Sequence, residues 1–200
     1  LVGPVPTPAI PILTKSLRAD AGIMISASHN PYYDNGIKIF APNGYKLSDN
    51  VELEIERLMD SDINELYATP QKVGRAMRLN DVAVRYAEYI KNALPLEKSI
   101  SGFKIALDMA NGAGYKIAPK VFEELGAEIV QIGNTPNGKN INDGVGATAP
   151  DKLSKLVIAE NANIGFALDG DADRLIVVDE KGNVIDGDQI IAIIANYLNN

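Results

Sequence analysis

The order of apolar segments predicts an α/β protein built from two consecutive units with largely parallel sheets. Three observations carry that reading. From Phe103 onward, short apolar runs alternate with amphipathic stretches in a β-α-β-loop-α-β order, which generates parallel strands flanked by helices. The segment Leu94-Pro95-Leu96-Glu97-Lys98-Ser99 interrupts the pattern and divides residues 1–96 from residues 97–200. The length, 200 residues, accommodates one large domain or two small α/β units.

Taken in order, Pro4, Pro6, Pro8 and Pro11 make the start extended, and a short helix follows through Ile12, Leu13 and Leu17. Gly22-Ile23-Met24-Ile25 suits a buried strand and ends in the polar loop Ser26-Ala27-Ser28-His29-Asn30-Pro31. Ile37, Ile39 and Phe40 mark a second strand, closed by a Pro42-Asn43-Gly44 turn. Asp49 and Glu52 have the spacing of a capping box, with Val51, Ile55, Leu58 and Met59 as the apolar stripe behind them. Asn80 or Asp81 caps a further helix that places Val82, Tyr86, Tyr89 and Ile90 on one face.

In the second unit, Phe103 to Met109 reads as a strand, Tyr115 to Leu125 as a helix and Glu128 to Ile132 as a strand. Pro119 fits only within the first turn or so of that helix, where its missing N–H costs nothing. An Asn/Gly-rich loop, Gly133 to Gly146, leads to a helix carrying Leu153, Leu156 and Val157, then to a strand from Ile164 to Leu168. Glu180-Lys181-Gly182-Asn183 links two apolar runs as a hairpin. The chain begins Leu1-Val2-Gly3 without methionine, and its last helical pattern runs into Asn199-Asn200 with no stop signal, so it reads as a piece of a longer protein.

Composition narrows the function. A net charge of −7, from 19 Lys+Arg and 26 Asp+Glu, disfavours a general nucleic-acid surface while permitting a local phosphate pocket. Zero cysteines exclude disulfides and thiolate metal sites and are compatible with a reducing compartment. The longest apolar run, Ile190 to Ala195, is too short to span a bilayer, and no secretory signal is visible.

The most informative stretch is Asp169-Gly170-Asp171-Ala172-Asp173-Arg174, directly after an apolar strand. Carboxylates this close repel one another unless a cation holds them, and an adjacent arginine offers donors suited to phosphate. An acidic surface turn is the bland alternative. An EF-hand is excluded, because its sixth position requires glycine and holds Arg174. Magnesium bridging the loop to a phosphate fits better, since this ion favours few carboxylates plus phosphate oxygens.

The Ser28 loop is either a strand-ending turn or a phosphoryl carrier. The nucleophile-elbow pattern fails, with Ser26 and Asn30 where glycines are needed, and His29, the only histidine, is badly placed as a base for its own neighbour. Phosphoryl transfer asks only for exposure, cations and a metal. Lys38 points away from Ile37 and Ile39, either into solvent or into the cleft beside Ser28. Asn111-Gly112-Ala113-Gly114 resembles a dinucleotide fingerprint but has Ile117 in place of the third small residue, so a tight turn is the reading. Ligands of open α/β sheets gather beyond the carboxyl ends of strands, so the Ser28 and Asp169–Arg174 loops are expected at a shared rim.

Several of these segments resemble one superfamily, the α-D-phosphohexomutases. Ile25-Ser26-Ala27-Ser28-His29-Asn30-Pro31 resembles their phosphoserine loop, Asp169 to Arg174 their metal loop, and Gly3-Pro4-Val5-Pro6-Thr7-Pro8 the segment before the serine. The extension Tyr32 to Phe40 is most similar to the bacterial branch that acts on glucosamine phosphates. The resemblance implies two three-layer α/β/α domains with mixed sheets, the first lacking its opening segment. It implies interconversion of glucosamine 6-phosphate and glucosamine 1-phosphate through a phosphoserine enzyme and a bisphosphorylated sugar, for amino-sugar and cell-wall precursor synthesis. Ser28, Asp169, Asp171 and Asp173 would hold one Mg²⁺, with His29, Lys38 and Arg174 around the transferring group and Lys38 a proton acceptor or donor. A hexosamine phosphate would be the substrate. A cytoplasmic location without nucleic acid or membrane is expected, and the resemblance allows a homodimer. Val145-Gly146-Ala147-Thr148 departs from the family's usual Cys-Gly-Ser-Thr-type stretch, so no role is carried over there. Sugar selection and substrate-phosphate anchoring belong to two further domains, so this stretch alone is expected to bind Mg²⁺ weakly to moderately and not to turn over. Rival readings are a phosphomannomutase or phosphoglucomutase, a Mg²⁺-dependent phosphatase with Asp169 as nucleophile, and a non-catalytic metal-stabilised binding domain.

Overall fold

A computed structural model describes residues 1–199. The extended, proline-bearing start leads into α1 (Ala9–Ser16), followed by β1 (Gly22–Ser26) and β2 (Gly36–Phe40). These two strands pair antiparallel, with Met24 opposite Lys38 and Ile25 opposite Ile37. One face of the pair carries Met24 and Phe40 onto α1 and the core; the other leaves Ile23, Ile25 and Ile37 at least 61% exposed. The expectation of a buried first strand is therefore corrected: only one of its faces is covered among the described residues.

Helix α2 (Asp49–Met59) starts at Ser48 without a side-chain cap, so the expected Asp49–Glu52 capping box does not form. Asp49 is already the first helical residue, where its charge and that of Glu52 face the positive end of the helix. None of α2 is buried, so its apolar stripe stays largely open. Two short 3₁₀ turns, Asn64–Leu66 and Pro70–Lys72, lead to α3 (Val82–Lys91). Val82, Tyr86 and Ala87 are buried on α3, whereas Tyr89 is 58% exposed at the edge of that face, against the expectation that it packs inward.

The second unit follows the predicted order closely. It comprises β3 (Lys104–Asp108), α4 (Ile117–Glu124), β4 (Glu128–Ile132), α5 (Asp151–Glu160), β5 (Ile164–Leu168), β6 (Leu175–Val178), β7 (Val184–Ile185) and α6 (Gly187–Leu198). Pro119 falls in the first turn of α4. Asn161 closes α5 in the left-handed conformation and Asp186 with Gln189 forms a capping box on α6. The sheet runs β4-β3-β5-β6-β7, parallel across β4-β3-β5 and antiparallel from β5 through β7. The crossover helices enforce the parallel half and the Glu180–Asn183 turn enforces the antiparallel end.

Two clusters cover the faces of this sheet, one around Ala106, Leu153, Val157 and Val178, the other around Ile105, Leu107 and Met109. A third joins Val5, Ile10, Leu13, Phe40, Val82 and Tyr86 to Ile117 and Val121 of α4. The apolar core thus runs without a break across the Leu94–Ser99 turn. That continuity fixes the β1 end loop against the β5 end loop.

Candidate active site

Both loops lie at the carboxyl ends of strands, Ser28 beyond β1 and Asp169 beyond β5. Asp169 is fully buried. Its Oδ1 accepts the N–H groups of Asp173 and Arg174, each at 3.1 Å, which folds the loop back on itself. Asp171 is 1% exposed; its Oδ2 accepts from Thr7 Oγ1 at 2.5 Å and from Lys38 Nζ at 2.7 Å. Lys38 Nζ also reaches Asp173 Oδ2 at 3.0 Å. Lys38 is therefore aimed at the aspartate loop, not into solvent. It pairs with Met24 across the hairpin on the covered face, which explains the direction.

Two carboxylate oxygens remain, Asp169 Oδ2 and Asp171 Oδ1. Both are buried and neither has a hydrogen-bond partner among the described residues. Buried anionic oxygens without donors are costly, and a cation is what they fit. Asp169, Asp171 and Asp173 can each present one oxygen within 4.8 Å of the others. This all-oxygen donor set suits a hard divalent ion.

The electrostatics follow from these contacts. Burial, helped by the neighbouring Asp171 charge, pushes the Asp169 carboxyl up to about 6. Burial also opposes ionisation of Asp171, but the Lys38 and Thr7 hydrogen bonds outweigh it and hold this carboxyl below its usual range. Partial desolvation of Lys38 is likewise outweighed by its bonds to Asp171 and Asp173, so its ammonium is held charged above its ordinary value.

Ser28 has φ 51°, in the left-handed region that a serine enters at a cost of roughly 1–2 kcal/mol. Its N–H donates to Ser26 Oγ at 2.8 Å. His29 Nδ1 stands 3.5 Å from Ser28 Oγ and the ring is exposed, too distant and too open to solvent for a built serine–histidine dyad. Arg174 is exposed, and its guanidinium makes no hydrogen bond or ion pair among the described residues, which leaves its five donors for a ligand. Ala172, in the aspartate loop, is the second strained neighbour, at φ 56°.

The two loops touch. Asn142 Nδ2 donates to the carbonyls of Ser28 and Asn30, both at 2.8 Å. A Cβ on Gly170 would lie 2.5 Å from the Ser28 carbonyl oxygen, so only glycine lets the loops approach this closely. Thr7 N–H donates to the Asp171 carbonyl at 2.8 Å, adding a third tie between the units. The Asn111–Gly114 turn packs beneath, its Ala113 N–H on the Gly170 carbonyl at 2.8 Å, in keeping with a tight turn in place of a nucleotide loop. Buried Asp108 at the end of β3 accepts from Ala110 N–H and Gly146 N–H, stapling two further rim loops together.

Ser28, Lys38, Asp169, Asp171, Asp173 and Arg174 thus occupy one rim, with His29 at its edge. The sequence singled out none of Thr7, Ser26, Asn142 or Asp108 for a role at the site. Thr7 sits in a proline-rich run and Asn142 in a polar loop, and only the contacts across more than 100 residues separate them from ordinary turn formers. A cavity of about 1210 Å³ lies nearby, bounded by the first residues, β1 and Gly170–Asp171, but its lining is mainly apolar and omits Ser28, Lys38 and Arg174. Of the rim's candidate groups, Asp171 alone borders that cavity.

Comparison with known proteins places these features. Residues 1–65 match the model for phosphoglucomutase/phosphomannomutase α/β/α domain I, and residues 84–182 match the model for α/β/α domain II. A phosphoglucosamine mutase of Agrobacterium fabrum is 58% identical over 196 residues, covering 98% of this chain and 44% of the relative. The chain thus spans under half the length of the curated relatives it matches. A putative phosphomannomutase of Thermus thermophilus superposes with a TM-score of 0.80 at 26% identity, covering 98% of this chain and 45% of that one. An Aspergillus fumigatus N-acetylphosphoglucosamine mutase, solved with GlcNAc-6P and magnesium, matches at TM-score 0.52 and 18% identity, over 89% of this chain and 48% of that one, a likeness of fold.

Proposed function

Since the chain belongs to the phosphoglucomutase/phosphomannomutase family, we propose that the protein containing it interconverts glucosamine 6-phosphate and glucosamine 1-phosphate. The observation that carries the chemistry is the meeting of a strained, half-buried serine loop with a pair of buried, donorless carboxylate oxygens. Ser28 as phosphoserine would pass its phosphoryl group to a sugar hydroxyl: the Ser28 Oγ–P bond breaks, a sugar O–P bond forms, and the proton given up by the sugar hydroxyl ends on Ser28 Oγ, which leaves as a free hydroxyl. The bisphosphorylated sugar would then turn and return its other phosphoryl group to Ser28.

Asp169, Asp171 and Asp173, together with the Ser28 phosphate, would hold one Mg²⁺. When bound, that ion supplies charge neutralisation for a dianionic phosphoserine facing an anionic substrate. Lys38, held charged by Asp171 and Asp173, suits neutralisation or proton donation more than proton acceptance. Arg174 offers a planar fork for phosphate oxygens, and His29 lines the approach.

The amino sugar is supported by the 58% identity to phosphoglucosamine mutases. A role in amino-sugar and cell-wall precursor supply, and a cytoplasmic location, follow from the same reading; no helix among the described residues is long and apolar enough to cross a membrane. The test is a coupled assay of the full-length protein on glucosamine, glucose and mannose 6-phosphates, beside Ser28→Ala and mass spectrometry of Ser28. Acid-stable phosphate on Ser28, preference for glucosamine 6-phosphate and an inactive Ser28→Ala are expected. Preference for a neutral sugar would reassign the substrate, and an acyl-phosphate on Asp169 would replace the mutase reading with a phosphatase.

A further inference from the structure

We propose that Asn142 is a positioning residue for Ser28, an inference that rests on the phosphoserine reading above. Its side-chain amide reaches across from the β4–α5 connection and fixes the backbone conformation from which Ser28 presents its hydroxyl. One NH₂ group spends both of its hydrogens on one loop, on the carbonyls of Ser28 and Asn30, each at 2.8 Å. The Ser28 N–H is held separately by Ser26 Oγ at 2.8 Å. Both backbone polar groups of the proposed nucleophile are thus clamped by side chains, one from each unit, at a residue whose φ of 51° needs such support.

Asn142 is itself built in. Its N–H donates to the Ala110 carbonyl at 2.8 Å, and its φ of 59° is a conformation that asparagine and glycine tolerate. Its Oδ1 is buried with no partner among the described residues, so the amide is not there to satisfy itself. The Ser28 carbonyl lies between this amide and Gly170, where a Cβ would come within 2.5 Å of the oxygen. The clamp therefore sets Ser28 against the loop that bears Asp169 and Asp171. Displacement of a reacting group by about 1 Å can cost about 100-fold in rate.

Two variants of the full-length protein test this. Asn142→Gly removes the amide while keeping the left-handed backbone unstrained; Asn142→Asp keeps the shape and turns an acceptor toward two carbonyls. We expect kcat on glucosamine 6-phosphate to fall roughly 30- to 100-fold in both, with KM and the Mg²⁺ titration midpoint within about 3-fold. The rate of phosphate loading onto Ser28 from the bisphosphorylated sugar should fall by the same factor as kcat. Wild-type kcat in both variants, beside an inactive Ser28→Ala, overturns this inference alone. Parallel loss of kcat, KM and Mg²⁺ affinity, or failure of both variants to fold, assigns Asn142 to general structure and also overturns it. Turnover that survives Ser28→Ala removes the serine reading and this one with it.

Discussion

At the scale of single residues, the site is a competition for carboxylate oxygens. Asp169 binds its proton more tightly folded than unfolded, because burial and the Asp171 charge push its carboxyl up to about 6. A group raised in this way takes stability from the protein as pH climbs from about 4 to about 6, since the folded state binds more protons there. A metal must displace that proton. The Mg²⁺ dissociation constant should therefore be about tenfold weaker at pH 5 than at pH 7, and level between pH 7 and 8. Calorimetric titration across that range checks it; a flat profile would sink the assignment of Asp169 as a ligand. Lys38 competes for the same group of oxygens from the other side, through Asp171 and Asp173. Lys38→Met should tighten Mg²⁺ binding by roughly 3- to 10-fold while depressing turnover, since it removes a charge that both repels the ion and faces the transferring phosphate. Unchanged metal affinity with unchanged turnover would show that Lys38 is only a structural counter-charge. The aspartates, Arg174 and Ser28 stood out in the sequence because their spacing is peculiar in itself. Asn142 and Thr7 did not, because a single asparagine or threonine in a loop has chemistry only through what it touches.

At the scale of elements, the decisive contact is loop against loop, and glycine makes it possible. A methyl on Gly170 would meet Ser28 O at 2.5 Å, Ile141 Cδ1 at 2.6 Å and Asn142 Nδ2 at 2.8 Å. Gly170→Ala should cost about 1–3 kcal/mol of stability, read from the chemical-denaturation midpoint, and should also lower kcat, because the added methyl pushes the Ser28 backbone away from the aspartate loop. Wild-type stability and turnover together would mean that the loops do not need to touch. Strand and helix identities were legible where the period was strong: β4 and β5 coincide with their predicted spans, and the hairpin into β7 follows from its turn chemistry. What stayed illegible was pairing. Apolar content suggested a buried β1, yet Ile23 and Ile25 face outward, because burial depends on which neighbours a strand has and not on its own composition. The capping residue of α2 was misplaced by one position for a similar reason, since Ser48 and Asp49 are both acceptable starts and local sequence does not choose between them.

At the scale of the molecule, the geometry of the rim depends on the core beneath it. Ile117 and Val121 of α4 pack with Val5, Ile10, Leu13, Val82 and Tyr86 in one cluster, and Lys91 on α3 pairs with Glu124 on α4 at 2.6 Å. The ion pair is exposed and screened by water, so it contributes little, and the apolar cluster is what joins the two units. A turn in the chain at Leu94–Ser99 does not imply a hinge when the core runs past it. Ile117→Ala deletes side-chain atoms from a position only 4% exposed and should cost about 2–5 kcal/mol. The loss should not be confined to α4. Amides of α1, from the first unit, and of β3, from the second, should lose hydrogen-exchange protection together and by the same free energy, because a shared core makes one cooperative unit of both. The serine and aspartate loops would then separate only when that unit opens. If α1 exchanged faster while β3 kept its protection, the two halves would be independent bodies, and the ties through Thr7, Lys38 and Asn142 would have to hold the rim together by themselves.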